Sequence, residues 1–125
     1  MKSPYTGLTR IFQAFGYSYD GIKATLQTES AFRQDVLFCA LAGATLFWLP
    51  VQGIALALMI FSLLFILIME LVNTGLEVVI DRIGSDFHPL SKKAKDIGSA
   101  LVLLAFLNWG AIWGTILYQV WLVGR

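Results

Sequence analysis

Residues 36–69 read VLFCALAGATLFWLPVQGIALALMIFSLLFILIM, thirty-four positions without a charged side chain. A second charge-free run, IGSALVLLAFLNWGAIWGTILYQVWLVG, fills residues 97–124. The charges are segregated around these blocks: seven in residues 1–35, nine in residues 70–96, and Arg125 at the end. A helix needs about 20 mostly apolar residues to cross a bilayer, so the first block is too long for one upright helix. It is interrupted at Trp48-Leu49-Pro50-Val51-Gln52-Gly53. Proline stops a helix there, glycine loosens the chain, and tryptophan favours the membrane interface. The pattern predicts a helical hairpin followed by a third span, with spans over residues 31–49, 53–83 and 90–122. Gly84 is placed to end the second span and Pro89 to open the third, across a turn at 84–91.

The chain has 125 residues and a mass of 13.9 kDa, which allows one domain, residues 1–125. Hydrophobic residues make up 58% and charged residues 14%, which excludes a disordered chain, a nucleic-acid binder and a small soluble enzyme. An all-α integral membrane protein is expected. Cys39 is the single cysteine, so no intramolecular disulfide or cysteine-based zinc site is available, and a packing role is expected. Residues 1–30 mix polar and apolar positions and lack the apolar core of a cleavable signal peptide.

Lys2, Arg10, Lys23 and Arg33 precede the first span, and Arg82, Lys92, Lys93 and Lys95 surround the second connection. The first connection has no basic residue, and the far terminus has Arg125 alone. The positive-inside rule then puts the N-terminus and the 84–91 turn in the cytoplasm and the C-terminus outside. Within residues 5–28, Leu8, Ile11, Phe12, Phe15, Tyr19, Ile22 and Leu26 recur at helical spacing. This face suits an amphipathic helix on the membrane surface, with bends allowed at Gly16 and Gly21. Small residues at Gly110 and Gly114, and at Ala40, Gly43 and Ala44, offer positions for close helix packing.

Acidic residues at the end of a spanning helix need a reason, because charge inside a bilayer is costly. Glu70, Asn73, Glu77 and Asp81 fall on one face, within about 80° of one another at 100° per residue. Such a stripe repels itself unless a cation or basic group neutralises it. Hard oxygen ligands of this kind suit magnesium shared with phosphate oxygens. Lys92, Lys93, Lys95 and Asp96 open the last span, where Lys95 and Asp96 can face the stripe, while Glu29 and Asp35 flank the first. Carboxylates and lysines meeting at the interface are what phosphoryl transfer requires. A solvated helix end that only anchors the protein is the competing reading. No Walker A or GxGxxG sequence is present.

The run Glu70 to Ala100, ELVNTGLEVVIDRIGSDFHPLSKKAKDIGSA, carries the pattern ExxNxxxExxxDR…H…AKD and resembles the signature of the prokaryotic diacylglycerol kinase family. Glu29-Ser-Ala-Phe-Arg-Gln34, Arg10 and Gly16-Tyr17-Ser18 resemble it as well, so the likeness covers nearly the whole chain. The resemblance implies a homotrimeric bundle of three-span subunits, each with a surface helix, whose sites are shared between subunits. It implies transfer of the ATP γ-phosphate to the hydroxyl of diacylglycerol, giving phosphatidic acid, with Mg2+ as cofactor. Glu70 would be the general base, Asn73 would position the reacting groups, and Glu29 and Glu77 would hold the metal. Arg10, Tyr17, Glu29, Glu77, Asp86, Phe87, His88, Lys95 and Asp96 would contact the nucleotide. Arg10, Ala31, Arg33, Asp35, Trp48, Glu70 and Ser99 would contact the lipid acceptor. The chain departs from the family pattern at Gln13, Asp35 and Phe87, where lysine, glutamate and tyrosine are expected.

Within that family some members act on undecaprenol, and the Arg82-Ile83-Gly84-Ser85 sequence favours diacylglycerol. A small cation-coupled transporter is the alternative of another class. It would place its key carboxylate near the membrane midplane and show internal repeats; Glu70 lies near the cytoplasmic edge, and no repeat is visible.

Overall fold

The computed structural model of the chain describes Pro4 and residues 6–124. Lys2, Arg125 and the first residue of the expected surface helix, position 5, lie outside the described residues. Four helices follow one another: α1 (Gly7–Thr28), α2 (Ser30–Thr45), α3 (Gly53–Ile83) and α4 (Pro89–Val123). No strand occurs among the described residues.

Two of these helices, α3 and α4, are long and apolar enough to cross a membrane. In their most apolar stretches only 28% and 17% of residues are buried. A core helix of a soluble protein would be mostly covered; here Leu58, Phe61, Leu64 and Ile68 of α3 and Leu103, Leu104 and Leu107 of α4 stand exposed. An aqueous surface does not hold apolar area on this scale. The pair packs side by side across the short 84–88 connection.

The expected three spans become two. The stretch assigned to a first span forms a helix of only 16 residues, α2, about 24 Å long at 1.5 Å per residue against about 30 Å of hydrocarbon. The reason lies at its C-terminal end. Thr45 Oγ1 donates back to the Ala42 carbonyl at 2.6 Å. The amides of Leu46, Phe47 and Trp48 then bond three residues back, to Gly43, Ala44 and Thr45. This tightening ends the helix before Pro50, whose ring disfavours helical geometry at Leu49. Gly53 restarts it at φ +62°, a backbone conformation that a side chain would strain. The structure is that of one chain, not of the homotrimeric bundle the resemblance implies.

The core joins α2, α3 and α4 through Cys39, Met59, Leu63, Ile66, Ala105 and Trp113. Trp113 Nε1 donates to Ser62 Oγ at 3.0 Å and to the Met59 carbonyl at 3.3 Å. The Ser62 hydroxyl donates to the same carbonyl at 2.7 Å. These three polar groups are thereby satisfied within the protein, whereas Trp109 Nε1, one turn away on α4, is buried without a partner among the described residues. Phe38 of α2 meets Trp109 edge-on at 4.9 Å between ring centroids and Phe106 at 5.5 Å, which ties α2 to α4. Cys39 is buried and donates to the Leu63 carbonyl at 3.4 Å.

Gly110 and Gly114 are not close-packing points within the chain: a Cβ at either would meet open space. Gly43 does sit against α3, with Leu63 Cδ1 3.7 Å from where its Cβ would be. Helix α1 is continuous through Gly16 and Gly21. Leu8, Phe12, Phe15 and Tyr19 on its apolar side are all exposed, so this helix holds to the rest mainly at its junction with α2.

Candidate functional site

Helix α3 leaves the apolar block at Met69 and carries its polar face over the next three turns. Glu70 is buried, at 6% exposure. Asp35 of α2 lies within side-chain hydrogen-bonding reach of it, and Glu77 and Glu29 are close enough to act on it electrostatically. No basic side chain pairs with Glu70 among the described residues. Asn73, one turn on, donates from Nδ2 to Glu77 Oε1 at 3.4 Å. Its Oδ1 is buried without a hydrogen-bond partner among the described residues.

Glu29 stands at the elbow between α1 and α2 with extended backbone, φ −108° and ψ 109°. Its Oε1 accepts from the Thr28 hydroxyl at 3.2 Å. Arg33 holds the same elbow from the other side: its Nη1 donates to the carbonyls of Leu26 at 2.7 Å and Gln27 at 3.3 Å. These carbonyls lie in the last turn of α1, where a cation compensates orphan acceptors. Arg33 therefore caps a helix rather than pointing at the acidic stripe. Ala31 lies exposed in the first turn of α2.

The 84–88 connection and the first two turns of α4 form a second cluster. Asp81, Gly84, Ser85, Asp86, Phe87, His88, Lys92, Lys95 and Asp96 line one open depression of about 440 Å³. Five of the expected nucleotide contacts (Asp86, Phe87, His88, Lys95 and Asp96) thus share a single concavity. Lys95 Nζ donates to Asp81 Oδ1 at 2.8 Å and lies within electrostatic reach of Glu77, which links this depression to the stripe. Lys92 pairs with Asp96 at 2.6 Å. His88 Nδ1 accepts from the Leu90 amide at 3.1 Å, so the ring caps α4 through one nitrogen while the residue lines the depression. Asp81, the aspartate of the DR pair in the pattern, and Lys92 join the cluster although neither was expected to contact a ligand. Their signal in the sequence was position: the last member of the stripe and the first lysine of the run.

Arg10 and Tyr17 are not part of either cluster. They line a shallow depression on α1 with Ile11, Ala14, Phe15 and Ser18. Trp48 is exposed in the turn beyond α2, thirteen residues and about 20 Å along the chain axis from Asp35. Ser99 is exposed on α4 beside the buried Gly98.

Among the described residues no group of three or more His, Cys, Asp or Glu side chains is arranged to hold a metal by itself. Magnesium does not require one: it takes one or two carboxylates and completes its shell with substrate phosphates and water. Glu29 and Glu77 supply hard oxygens of that kind, and Asn73 already steadies one oxygen of Glu77. The donor set fits the ion.

An apolar groove of about 490 Å³ runs between α2 and α3, lined by Val36, Cys39, Gly43, Phe47, Leu56, Leu63 and Leu67 among others. Its Val36–Leu67 end adjoins Asp35 and Glu70 in sequence. The opposite end opens near Phe47 and Leu56.

The family model of prokaryotic diacylglycerol kinase matches residues 16–117. The chain is 42% identical over 119 residues to the diacylglycerol kinase of Escherichia coli (strain K12), covering 95% of this chain and 98% of that one. Against the diacylglycerol kinase of Pseudomonas aeruginosa the identity is 45% over 112 residues, 90% of this chain and 91% of that one. The Haemophilus influenzae diacylglycerol kinase is 40% identical over 113 residues, 90% and 96% of the two chains. A match of this extent, across both clusters and the helices that carry them, identifies the chain as a member of the prokaryotic diacylglycerol kinase family, a family of membrane lipid kinases.

Proposed function

We propose that the chain transfers the γ-phosphate of ATP to the free hydroxyl of diacylglycerol, releasing ADP and phosphatidic acid. The observation that carries this reading is Glu70, a buried carboxylate with no cationic partner among the described residues, three residues beyond Leu67 of the apolar groove. The acyl chains lie along that groove or the lipid beside it, and the hydroxyl reaches Glu70. Glu70 takes the hydroxyl proton as the oxygen attacks the γ-phosphorus; the new O–P bond forms while the bond to the ADP oxygen breaks. Correct placement of a general base contributes about 10²–10⁴ in rate.

Glu29 and Glu77 would hold Mg2+ on the ATP phosphates, where the ion would neutralise charge in the transferring group. Asn73 orients Glu77. Lys95 and Asp96, with the Asp86-Phe87-His88 loop, cradle the nucleotide, and Arg10 and Tyr17 close over it from α1. The acceptor's head is held by Arg10, Ala31, Asp35 and Ser99, with Arg33 acting through the α1–α2 elbow that it caps, and Trp48 contacts its chains from the turn beyond α2. Because Arg10 and Tyr17 lie apart from the loop depression within one chain, the complete site is assembled between copies in a homotrimer. Helix α1 lies with its apolar side on a membrane surface, the 84–88 loop of the α3–α4 pair is cytoplasmic in the inner membrane, and the C-terminus is outside.

The test is phosphate transfer from labelled ATP with Mg2+ in lipid vesicles, offering diacylglycerol and undecaprenol together. Glu70→Gln keeps the shape and removes the base. Labelling of diacylglycerol that falls at least a hundredfold in Glu70→Gln is the expected result. Labelling of undecaprenol instead would change the acceptor, and labelling of neither by folded protein would overturn the reading.

A further inference from the structure

The buried Asn73 Oδ1 lacks a donor, yet its surroundings are specific. Across the helix interface lies Gly98, buried on α4, one turn beyond Lys95. A Cβ built on Gly98 would collide with Asn73 Oδ1, would lie 3.2 Å from Asn73 Cγ, and would touch Leu76 Cδ1 at 3.6 Å. The hydrogen that this Cβ would replace therefore points at the carbonyl oxygen of the amide, a weak C–H···O contact. Gly98 has an ordinary helical backbone and is not required by conformation. What its position requires is the absence of a side chain.

An amide is planar, and its two ends point apart. With Oδ1 seated against the Gly98 backbone, the NH2 end is turned toward Glu77, where Nδ2 meets Oε1 at 3.4 Å. The reverse orientation would set two oxygens against each other at Glu77. One oxygen of Glu77 is thus held from within the protein.

We infer that Gly98 is a positioning residue for the phosphotransfer site: its missing side chain makes the socket that seats the Asn73 amide and so orients Glu77. This deepens the proposed function and rests on Asn73 and Glu77 serving the reaction. It adds a part that the polar stripe does not contain. Helix α4 contributes lysines to the nucleotide depression and, one turn later, a backbone surface that sets the geometry of α3.

The test is a double-mutant cycle between Gly98→Ala and Asn73→Ala, read three ways on the full-length protein in detergent or vesicles. The first readout is the phosphotransfer rate. Gly98→Ala should lower it tenfold or more in the natural background and change it less than twofold when Asn73 is already alanine. The second is Mn2+ affinity, read from its paramagnetic resonance signal with a non-hydrolysable ATP analogue. Gly98→Ala should weaken it at least threefold, and Asn73→Ala should weaken it to a similar extent.

The third is thermal unfolding, in which Asn73→Ala should recover the midpoint that Gly98→Ala loses. Should Gly98→Ala alone fail to fold, a folded double variant is the expected result, and failure of both to fold would overturn the inference. Equal losses from Gly98→Ala in the two backgrounds would mean general packing damage and would also overturn it. A natural rate and metal affinity in Gly98→Ala, with Asn73→Ala impaired, would reject the socket and leave the proposed function standing. Full activity of Asn73→Ala would instead remove the role of Asn73 and the inference with it.

Discussion

At Lys95 two demands meet on one side chain. Its ammonium is held by Asp81 at 2.8 Å and lies in electrostatic reach of Glu77, while it also lines the depression formed by the 84–88 loop. An exposed ion pair contributes little to stability, so the pair is better understood as aiming the lysine. Lys95→Met should leave the unfolding midpoint within a degree or two and raise the KM for ATP about tenfold, the size of effect expected for one charge-assisted phosphate contact. Steady-state kinetics beside a thermal melt checks both halves. Asp81→Asn should show a smaller rise, because the lysine keeps its charge and loses only its aim.

The stripe itself was legible, since Glu70, Asn73, Glu77 and Asp81 share a face by helical arithmetic alone. The partners from other helices were not. That Asp35 approaches Glu70, that Arg33 turns away to cap α1, and that Gly98 abuts Asn73 are facts of interhelical distance, which no periodicity within one helix encodes.

Between elements the decisive contact is the polar one inside the apolar pair. Trp113 of α4 donates to Ser62 and to the Met59 carbonyl of α3, and all three groups are buried. Interhelical hydrogen bonds in membrane proteins average about 0.6 kcal/mol and reach about 1.7 kcal/mol. Ser62→Ala should therefore cost about 0.6–1.7 kcal/mol, because the indole keeps the carbonyl as a second acceptor. Trp113→Phe removes the donor to both and also loses buried volume, so its cost should be larger than that of Ser62→Ala. Unfolding by a denaturing detergent, titrated against a mild one, measures the difference. Equal stability of Ser62→Ala and the natural protein would show that the serine is only filling space.

The helix ends divide by the same logic. Gly84 and Pro89 mark the turn by their own backbone chemistry, and the sequence pattern alone suffices to find it. The end of α2 depends on a run of three-residue backbone bonds from Leu46 to Trp48 and on the Thr45 back-bond. In a purely apolar stretch such tightening leaves no compositional mark, so counting apolar residues extended the helix by a turn and turned a short helix into a span.

The scale of the whole molecule concerns which parts meet water and on which side. Two apolar helices joined by a short polar loop must expose that loop on one membrane face and their other ends on the opposite face. Residues 84–88 lie at one end, with Gly53 and Val123 at the other. In the proposed orientation the lysines at 92, 93 and 95 keep that loop cytoplasmic, because each resists translocation.

In a Cys39→Ala background, Ser85→Cys and Val123→Cys report the two ends, since both positions are exposed. In sealed vesicles of known orientation, a membrane-impermeant thiol reagent should label Ser85→Cys from the cytoplasmic face and Val123→Cys from the other. Labelling of both from one side would contradict a spanning α3–α4 pair and, with it, delivery of a lipid hydroxyl to Glu70 from within the bilayer. Opposite-face labelling with Val123→Cys cytoplasmic would keep the pair and invert the protein. Cytosolic ATP could then not reach the depression at Lys95, and the charge rule would have failed in a chain whose basic residues are concentrated at one end of its helices.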